Sequence, residues 1–166
     1  PDELLANRVR MLSALARASG YLGMCGGQAL DLEAEGRRIS LAELEQVHRH
    51  KTGALIECAV TLGALCKADV EPATLAALQT YAAAIGLAFQ VQDDILDITG
   101  DTATLGKPQG SDLAQEKSTY PALLGLDTAR ELARELHDKA LTALQSLPYN
   151  TDILEAFADY IIERTH

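Results

Sequence analysis

The segment YAAAIGLAFQVQDDILDIT, residues 81–99, constrains the fold more than any other part of the sequence. On a helical projection, apolar or small residues point in nearly every direction. The polar exceptions are two glutamines and three aspartates: Gln90, Gln92, Asp93, Asp94 and Asp97. A helix that is apolar on all sides is normally buried, so this segment predicts the central helix of a bundle. Its carboxylates need a charged partner, because an unpaired buried charge is costly.

The composition favours an all-α fold. Alanine and leucine, which are strong helix formers, dominate the chain. The 166 residues include no tryptophan and only 4% aromatic residues, and the β-branched runs that mark strands are missing. A chain of this length predicts one compact domain, covering residues 1–166.

Charge, hydropathy and cysteine content limit the class of protein. The net charge is −10 and no Lys/Arg stripe is present, which argues against a nucleic-acid partner. The best apolar stretch, residues 53–66, carries Glu57 and falls short of the roughly 18 residues of a membrane span, so no membrane insertion is expected. The three cysteines form no C-x-x-C pair, which fits a reducing cytoplasm.

Local signals predict the helix boundaries. Ser40 and Glu43 form a capping box, and Pro72 suits a first-turn position. The only long loop, residues 100–111, is rich in glycine. Together these signals predict helices over residues 4–34, 40–67, 72–100, 120–126, 127–147 and 151–162.

The aspartates of the central helix form a candidate metal site. Gln90, Asp93 and Asp97 fall on one stripe, with Asp94 on its shoulder. Magnesium is usually held by one or two carboxylates together with substrate phosphates. The alternative is a solvated helix end, where acids near the C-terminus oppose the helix dipole. Spacing alone leaves both interpretations open, and no H-E-x-x-H pattern supports zinc.

Two other polar groups suit a phosphate ligand. Gln28 and Asp31 lie on one face of a mostly apolar helix, and Lys51 stands beside Thr52 before a buried helical run. A lysine in such a place can bind phosphate as a point charge. Taken singly, these residues are also explained by helix-packing contacts and a solvated lysine. In the long loop, Gly106-Lys107 is the only glycine-lysine pair that could close over phosphates.

Four segments together resemble the trans-isoprenyl diphosphate synthases, the polyprenyl synthetase family. They are GGQALDL at residues 26–32, HRHKTGAL at 48–55, GLAFQVQDDILD at 86–97 and GDTATLGKPQGSD at 100–112. The resemblance covers essentially the whole chain, and within the family it is greatest to bacterial members that make farnesyl diphosphate.

The resemblance implies an antiparallel helical bundle of the isoprenoid synthase type, normally a cytoplasmic homodimer. It implies a prenyltransferase of isoprenoid biosynthesis that condenses an allylic diphosphate, dimethylallyl or geranyl, with isopentenyl diphosphate. Asp93, Asp94 and Asp97 would bind Mg²⁺ that bridges the allylic diphosphate, with Asp93 as the main direct ligand.

The resemblance also implies roles for residues around that ion. Thr52 and Gln90 would lie close to the reacting carbon, with Lys51 beside them as a catalytic residue. The residues expected to bind the diphosphate or line its cavity are Lys51, Lys107, Lys117, Gln28 and Asp31.

One departure from the family pattern concerns the missing upstream motif. Complete members carry a first aspartate-rich motif before the region matched here, so we expect this chain to be a C-terminal part that is inactive alone.

A terpene cyclase is disfavoured by Lys51-Thr52 and Gly106-Lys107. A non-catalytic helical partner of a heteromeric prenyl synthase remains the alternative, and an upstream D-D-x-x-D in the parent gene would decide for the enzyme.

Overall fold

A computed structural model describes residues 5–100 and 117–164, and this part of the chain is helical without strands. A π-helical turn, Arg49–Gly53, lies between the third and fourth α-helices. The all-α prediction is confirmed. The α-helices are α1 (Leu5–Ser19), α2 (Met24–Ala34), α3 (Leu41–His48), α4 (Ala54–Leu65), α5 (Pro72–Thr99), α6 (Tyr120–Leu124), α7 (Leu126–Gln145) and α8 (Asp152–Glu163).

Helix α5 is the centre of the bundle, as its apolar pattern predicts. Its first half packs Tyr81 and Ile85 against Leu144 of α7 and Ile161 of α8. The hydroxyl of Tyr81 donates to the carbonyl of Leu154 at 2.8 Å. Full burial of a large apolar side chain contributes about 1.5–3 kcal/mol, so this cluster holds α7 and α8 firmly onto α5.

The second half of α5 builds the cluster beneath the candidate site. Leu87, Val91 and Ile95 are buried with Leu44 of α3 and Tyr120 of α6. This packing brings the C-terminal half of α5 against two elements that are distant in sequence. The polar residues of α5 in this half therefore lie where α3 and α6 converge.

Among the described residues, α5 is the one helix long and apolar enough to cross a membrane by length and composition. Half of its most apolar window is buried inside the protein, and Asp94 and Asp97 are buried in its last turns. Its central place in the bundle accounts for this apolar character.

The single helix predicted over residues 4–34 is wrong, because the chain turns between α1 and α2. The N–H of Gly23 donates to the carbonyl of Gly20 at 3.0 Å. A Cβ on Gly23 would lie 2.0 Å from the carbonyl oxygen of Ala18, so this turn requires glycine. Gly27 does allow the close approach expected of the glycines, because a Cβ there would lie 2.2 Å from the backbone nitrogen of Lys51.

The helix predicted over residues 40–67 begins as expected but is not continuous. In the capping box, the N–H of Glu43 donates to the Ser40 hydroxyl at 3.3 Å, and the N–H of Ser40 donates to the Glu43 carboxylate at 2.8 Å. The π-helical turn then interrupts the α-helix. Turns of this kind occur frequently at functional sites, and this one carries Lys51 and Thr52.

The later helices follow the predicted boundaries closely. Thr119 caps α6 by accepting from the N–H of Ala122 at 3.3 Å, and Asn150 accepts from the N–H of Asp152 at 3.0 Å before α8. Of the predicted loop at residues 100–111, the part beyond Gly100 lies outside the described residues.

Candidate functional site

One cavity brings six of the predicted site residues together. It has a volume of about 190 Å³ and lies between α2, α3, the π-helical turn, α5 and the segment before α6. Other lining residues include Glu35, His48, Ser118 and Thr119. The six predicted residues on its wall are Asp31, Lys51, Gln90, Asp93, Asp94 and Lys117.

Lys51 reaches this cavity from the π-helical turn and pairs with α2. Its Nζ lies 2.6 Å from Oδ2 of Asp31, and both side chains are partly exposed. The close approach of Gly27 to the backbone of Lys51 holds the two elements together. The cavity wall therefore carries a positive charge beside a negative one, within reach of an anionic ligand.

Thr52 and Gln90 form a second link across the cavity wall. The hydroxyl of Thr52 donates to Oε1 of Gln90 at 2.8 Å. Thr52 does not line the cavity, whereas Gln90 does. The contact ties the π-helical turn to α5 and orients the side-chain amide of Gln90.

The three aspartates of α5 occupy different environments. Asp93 is half-exposed and lies 3.5 Å from Nη2 of Arg164. Asp94 is buried and accepts from the backbone N–H of Tyr120 at 2.9 Å. Asp97 is only 1% exposed and does not line the cavity. The structure thus places Asp93 and Asp94 on the cavity wall and Asp97 in the interior.

The described residues contain no group of three or more His, Cys, Asp or Glu side chains that could hold a metal ion. The cavity instead offers Asp93 and Asp94 beside Lys51 and Lys117. Magnesium needs only one or two protein carboxylates when substrate phosphates complete its coordination. The donor set fits an ion that arrives with a phosphate ligand better than an ion held by protein alone.

Arg164 is a site residue that the sequence patterns do not reveal. It follows α8, and its guanidinium lies 4.3 Å from the centre of the Phe89 ring and donates to the Phe89 carbonyl at 3.3 Å. These contacts fix the cation beside Asp93. Only the packing of α8 on α5 brings this arginine beside Asp93, which lines the cavity, so no local signal could have found it.

His48 is a second residue whose role emerges only in the structure. Burial lowers the pKa of His48 to about 4, although the nearby Asp31 carboxylate favours protonation. Its ring lies 5.5 Å from the ring of Tyr120. His48 is therefore a neutral part of the cavity wall near pH 7, and the aromatic contact links α3 to α6.

Gln28 is a predicted site residue that lies away from this cavity. Gln28 is exposed and does not line the cavity, contrary to expectation. Asp31, Ala34 and Glu35, at the C-terminal end of α2, line the cavity, and Gln28 lies about one turn before them. Lys107 lies outside the described residues.

Comparison with known proteins supports one family. The family model described as polyprenyl synthetase matches residues 3–160. The farnesyl diphosphate synthase of Escherichia coli is 60% identical over 167 aligned residues, which cover 99% of this chain and 56% of that protein. The chain therefore spans about half the length of this curated relative.

Solved structures agree with the sequence comparison. A polyprenyl synthase from Caulobacter crescentus, in complex with calcium and isoprenyl diphosphate, superposes with a TM-score of 0.85 at 30% identity, covering 95% of this chain and 60% of that one. A geranyltransferase from Helicobacter pylori, in complex with magnesium and isoprenyl diphosphate, gives a TM-score of 0.78 at 30% identity, covering 95% and 51%.

The helical architecture, the polar cavity and the match over residues 3–160 agree with one another. The chain belongs to the polyprenyl synthetase family.

Proposed function

We propose that this chain forms the allylic-diphosphate half of a farnesyl diphosphate synthase. The observation that carries the proposal is the 190 Å³ cavity, whose wall combines Asp93 and Asp94 with Lys51, Lys117 and Gln90. The 60% identity to the Escherichia coli farnesyl diphosphate synthase supports the product assignment. The proposed reaction joins an allylic diphosphate, dimethylallyl or geranyl, to isopentenyl diphosphate.

The proposed cofactor is Mg²⁺, for which Asp93 and Asp94 supply the carboxylates on the cavity wall. Bound there, it would neutralise the diphosphate as the leaving group departs. Asp97 is proposed to support α5 from the interior, because it is almost fully buried. The complexes of two structural relatives with a divalent cation and isoprenyl diphosphate favour this assignment.

Lys51 and Lys117 are proposed to bind the diphosphate directly. In the first step the C–O bond breaks and the electron pair leaves with the diphosphate, so negative charge grows on its oxygens. Preorganised positive charges stabilise such a transition state without reorganisation. Lys51 is positioned for this by its 2.6 Å pair with Asp31, and Lys107 is proposed as a further cation.

Gln90 and Thr52 are proposed to stabilise the allylic cation. The hydrogen bond from Thr52 leaves the Gln90 oxygen with a second lone pair that can face positive charge. The π electrons of isopentenyl diphosphate then form the new C–C bond, and the resulting cation loses a proton to the departed diphosphate. Water must be excluded during this interval because it would capture the cation.

The test uses a full-length protein that contains this sequence and the Asp93→Ala variant. Condensation of radiolabelled isopentenyl diphosphate with geranyl diphosphate is measured against Mg²⁺ concentration. Loss of one electrostatic contact to the transition state predicts a fall in kcat of about 10²–10³. Mass spectrometry of the dephosphorylated product checks that it carries the farnesyl chain.

Asp127→Ala is the matched control, because this aspartate is 96% exposed on α7 and lies outside the cavity. It removes the same charge and is expected to leave turnover unchanged. Unchanged Mg²⁺-dependent turnover in Asp93→Ala would contradict the proposed role of the Asp93 carboxylate.

We also propose that the protein is a cytoplasmic homodimer. Helix α1 presents an exposed apolar stripe of Leu5, Val9, Leu12 and Leu15, which a second copy would cover. The three cysteines are free thiols, as expected in a reducing compartment. Light scattering compares the molar mass of the parent protein with that of its Leu12→Glu variant, which should not dimerise. A parent protein that is monomeric at micromolar concentration would contradict the proposed homodimer.

A further inference from the structure

A second cleft lies beside the candidate site. Its volume is about 390 Å³, and it opens between the turn after α2 and the start of α6. Within the described part of the chain, three cations line it, together with a serine hydroxyl and three small or apolar residues. The lining residues are Gly36, Arg37, Arg38, Lys117, Ser118, Ala122 and Leu123. We call this the basic cleft.

Backbone geometry holds the two sides of the basic cleft together. Gly36 has φ +69°, a left-handed conformation that suits glycine, and turns the chain out of α2. The N–H of Ile39 then donates to the Ser118 hydroxyl at 3.1 Å, which joins the α2 turn to the segment before α6. Arg37 is anchored by a 3.3 Å bond to the carbonyl of Glu33. The arginines therefore stand opposite Lys117 at a fixed separation of the two walls.

The electrostatics of the cleft favour an anion. None of the described carboxylates lines it, and no described carboxylate lies within ion-pair distance of Arg37, Arg38 or Lys117. This is unusual for a chain with a net charge of −10. Arg37 also borders a groove that contains Glu33 and Glu43. The capping-box hydrogen bonds of Glu43 lower its pKa, and the charge of Arg37 helps to lower it. An anion in the basic cleft would still be attracted by all three cations.

The donor chemistry matches phosphate oxygens. A guanidinium presents a planar set of donors that binds phosphate in a bidentate way, and lysine adds a point charge. Ser118 accepts from Ile39 and so keeps its own proton for donation. A diphosphate group supplies enough oxygens to engage both walls of the cleft.

We propose that the basic cleft binds a diphosphate group without a metal ion. The contrast with the neighbouring cavity is chemical, because that cavity is lined by Asp31, Glu35, Asp93 and Asp94. Among the residues that the structure describes, these four carboxylates outnumber Lys51 and Lys117 in that cavity, so they oppose diphosphate binding until a cation is bound. Lys117 and Ser118 line both spaces. If the proposed function holds, a diphosphate released from the cavity can pass along this shared edge into the cleft.

The test is calorimetric titration of the chain with inorganic diphosphate in EDTA at low ionic strength. The expected result is binding of one diphosphate per chain, weakened at least tenfold by Arg37→Gln combined with Arg38→Gln. Both arginines are exposed, and circular dichroism checks that the variant is folded. The control combines Arg130→Gln with Arg134→Gln on α7, which removes the same charge away from the cleft and is expected to leave binding unchanged.

A parallel titration with isopentenyl diphosphate identifies the source of the group. Both ligands are expected to lose affinity in the Arg37/Arg38 variant. Tighter binding of inorganic diphosphate assigns the cleft to the free anion, and tighter binding of isopentenyl diphosphate assigns it to a substrate headgroup.

Three results would overturn the inference. One is the absence of binding in EDTA at millimolar diphosphate, and another is equal loss of affinity in the two double-arginine variants. The third is binding that requires Mg²⁺ and disappears in Asp93→Ala, with no metal-free binding, which would refute the basic cleft while leaving the proposed function standing.

Discussion

The contact between α2 and the π-helical turn depends on the absence of a side chain at Gly27. A Cβ built there would lie 2.2 Å from the backbone nitrogen of Lys51 and 2.6 Å from its Cα. These are backbone atoms, which cannot rotate away as a flexible side chain would. Gly27→Ala must therefore separate the two elements that carry Asp31 and Lys51.

The size of the effect follows from the overlap. Ordinary contact begins near 3.4 Å, so relief of a 2.2 Å contact requires a backbone shift of about 1 Å. Overpacking of this kind typically costs about 1–3 kcal/mol, while alanine in a helix recovers about 0.5–1 kcal/mol relative to glycine. Because the clash is with backbone atoms, we expect the upper half of the overpacking cost, which gives a net loss of about 1–2.5 kcal/mol in the free energy of unfolding.

Urea unfolding followed by far-UV circular dichroism measures this free energy. Gly63→Ala is the matched control, because Gly63 lies in α4 with no atom within 4 Å of the added Cβ. It should stabilise the protein by about 0.5–1 kcal/mol. The two substitutions thus have opposite expected signs. A Gly27→Ala variant as stable as its parent would refute the close-approach argument.

Three further predictions concern stability. Asn7 donates to the Leu65 carbonyl at 3.1 Å, so Asn7→Ala should cost about 1–3 kcal/mol in urea unfolding; an unchanged midpoint would contradict this. The pKa of His48 falls from 6.5 to about 4 on folding, so the unfolded chain binds the proton first. Stability should therefore fall as pH drops from 6.5 towards 4, by at most about 1.4 kcal/mol per pH unit, and His48→Asn should flatten that slope. Tyr81→Phe removes the hydrogen bond to the Leu154 carbonyl and should lower the free energy of unfolding by about 0.5–1.5 kcal/mol. Amide hydrogen exchange in α8 should become faster, and unchanged exchange would contradict the role of this hydrogen bond.

Helix positions were predictable where the signal is local. The capping box of Ser40 and Glu43 is a contact between residues three apart, so it can be recognised without knowing the fold. The apolar surround of α5 likewise predicts its own burial. Pro72 begins α5 because the N–H that proline lacks would have no intrahelical acceptor at a first-turn position.

The breaks within predicted helices were not predictable in the same way. The turn between α1 and α2 and the π-helical turn occur inside sequences with acceptable helical patterns. A π-helical turn changes the angular phase of every later residue, so the direction of Lys51 and Thr52 could not be derived from a regular projection. The backbone of the π-helical turn at Lys51 packs directly against Gly27 of α2, and this contact is not visible in the local sequence.

The candidate site shows the same division. Residue types and spacing identified Lys51, Gln90, Asp93 and Asp94, all of which line one cavity. The helical stripe that contains Asp93 and Asp97 does not indicate that Asp97 is buried away from this cavity. Burial depends on which neighbours pack against each face of a helix, and one sequence segment does not contain that information.

The sequence by itself determined the helical class, the central place of α5 and the charged and polar residue types of the candidate site, because these depend on periodicity and on chemistry carried by short segments. Only the tertiary structure decided that Arg164 meets Asp93, that His48 forms part of the cavity wall and that Arg37 and Arg38 line one cleft with Lys117. These groups are far apart along the chain, and their distances are set by the packing of whole helices.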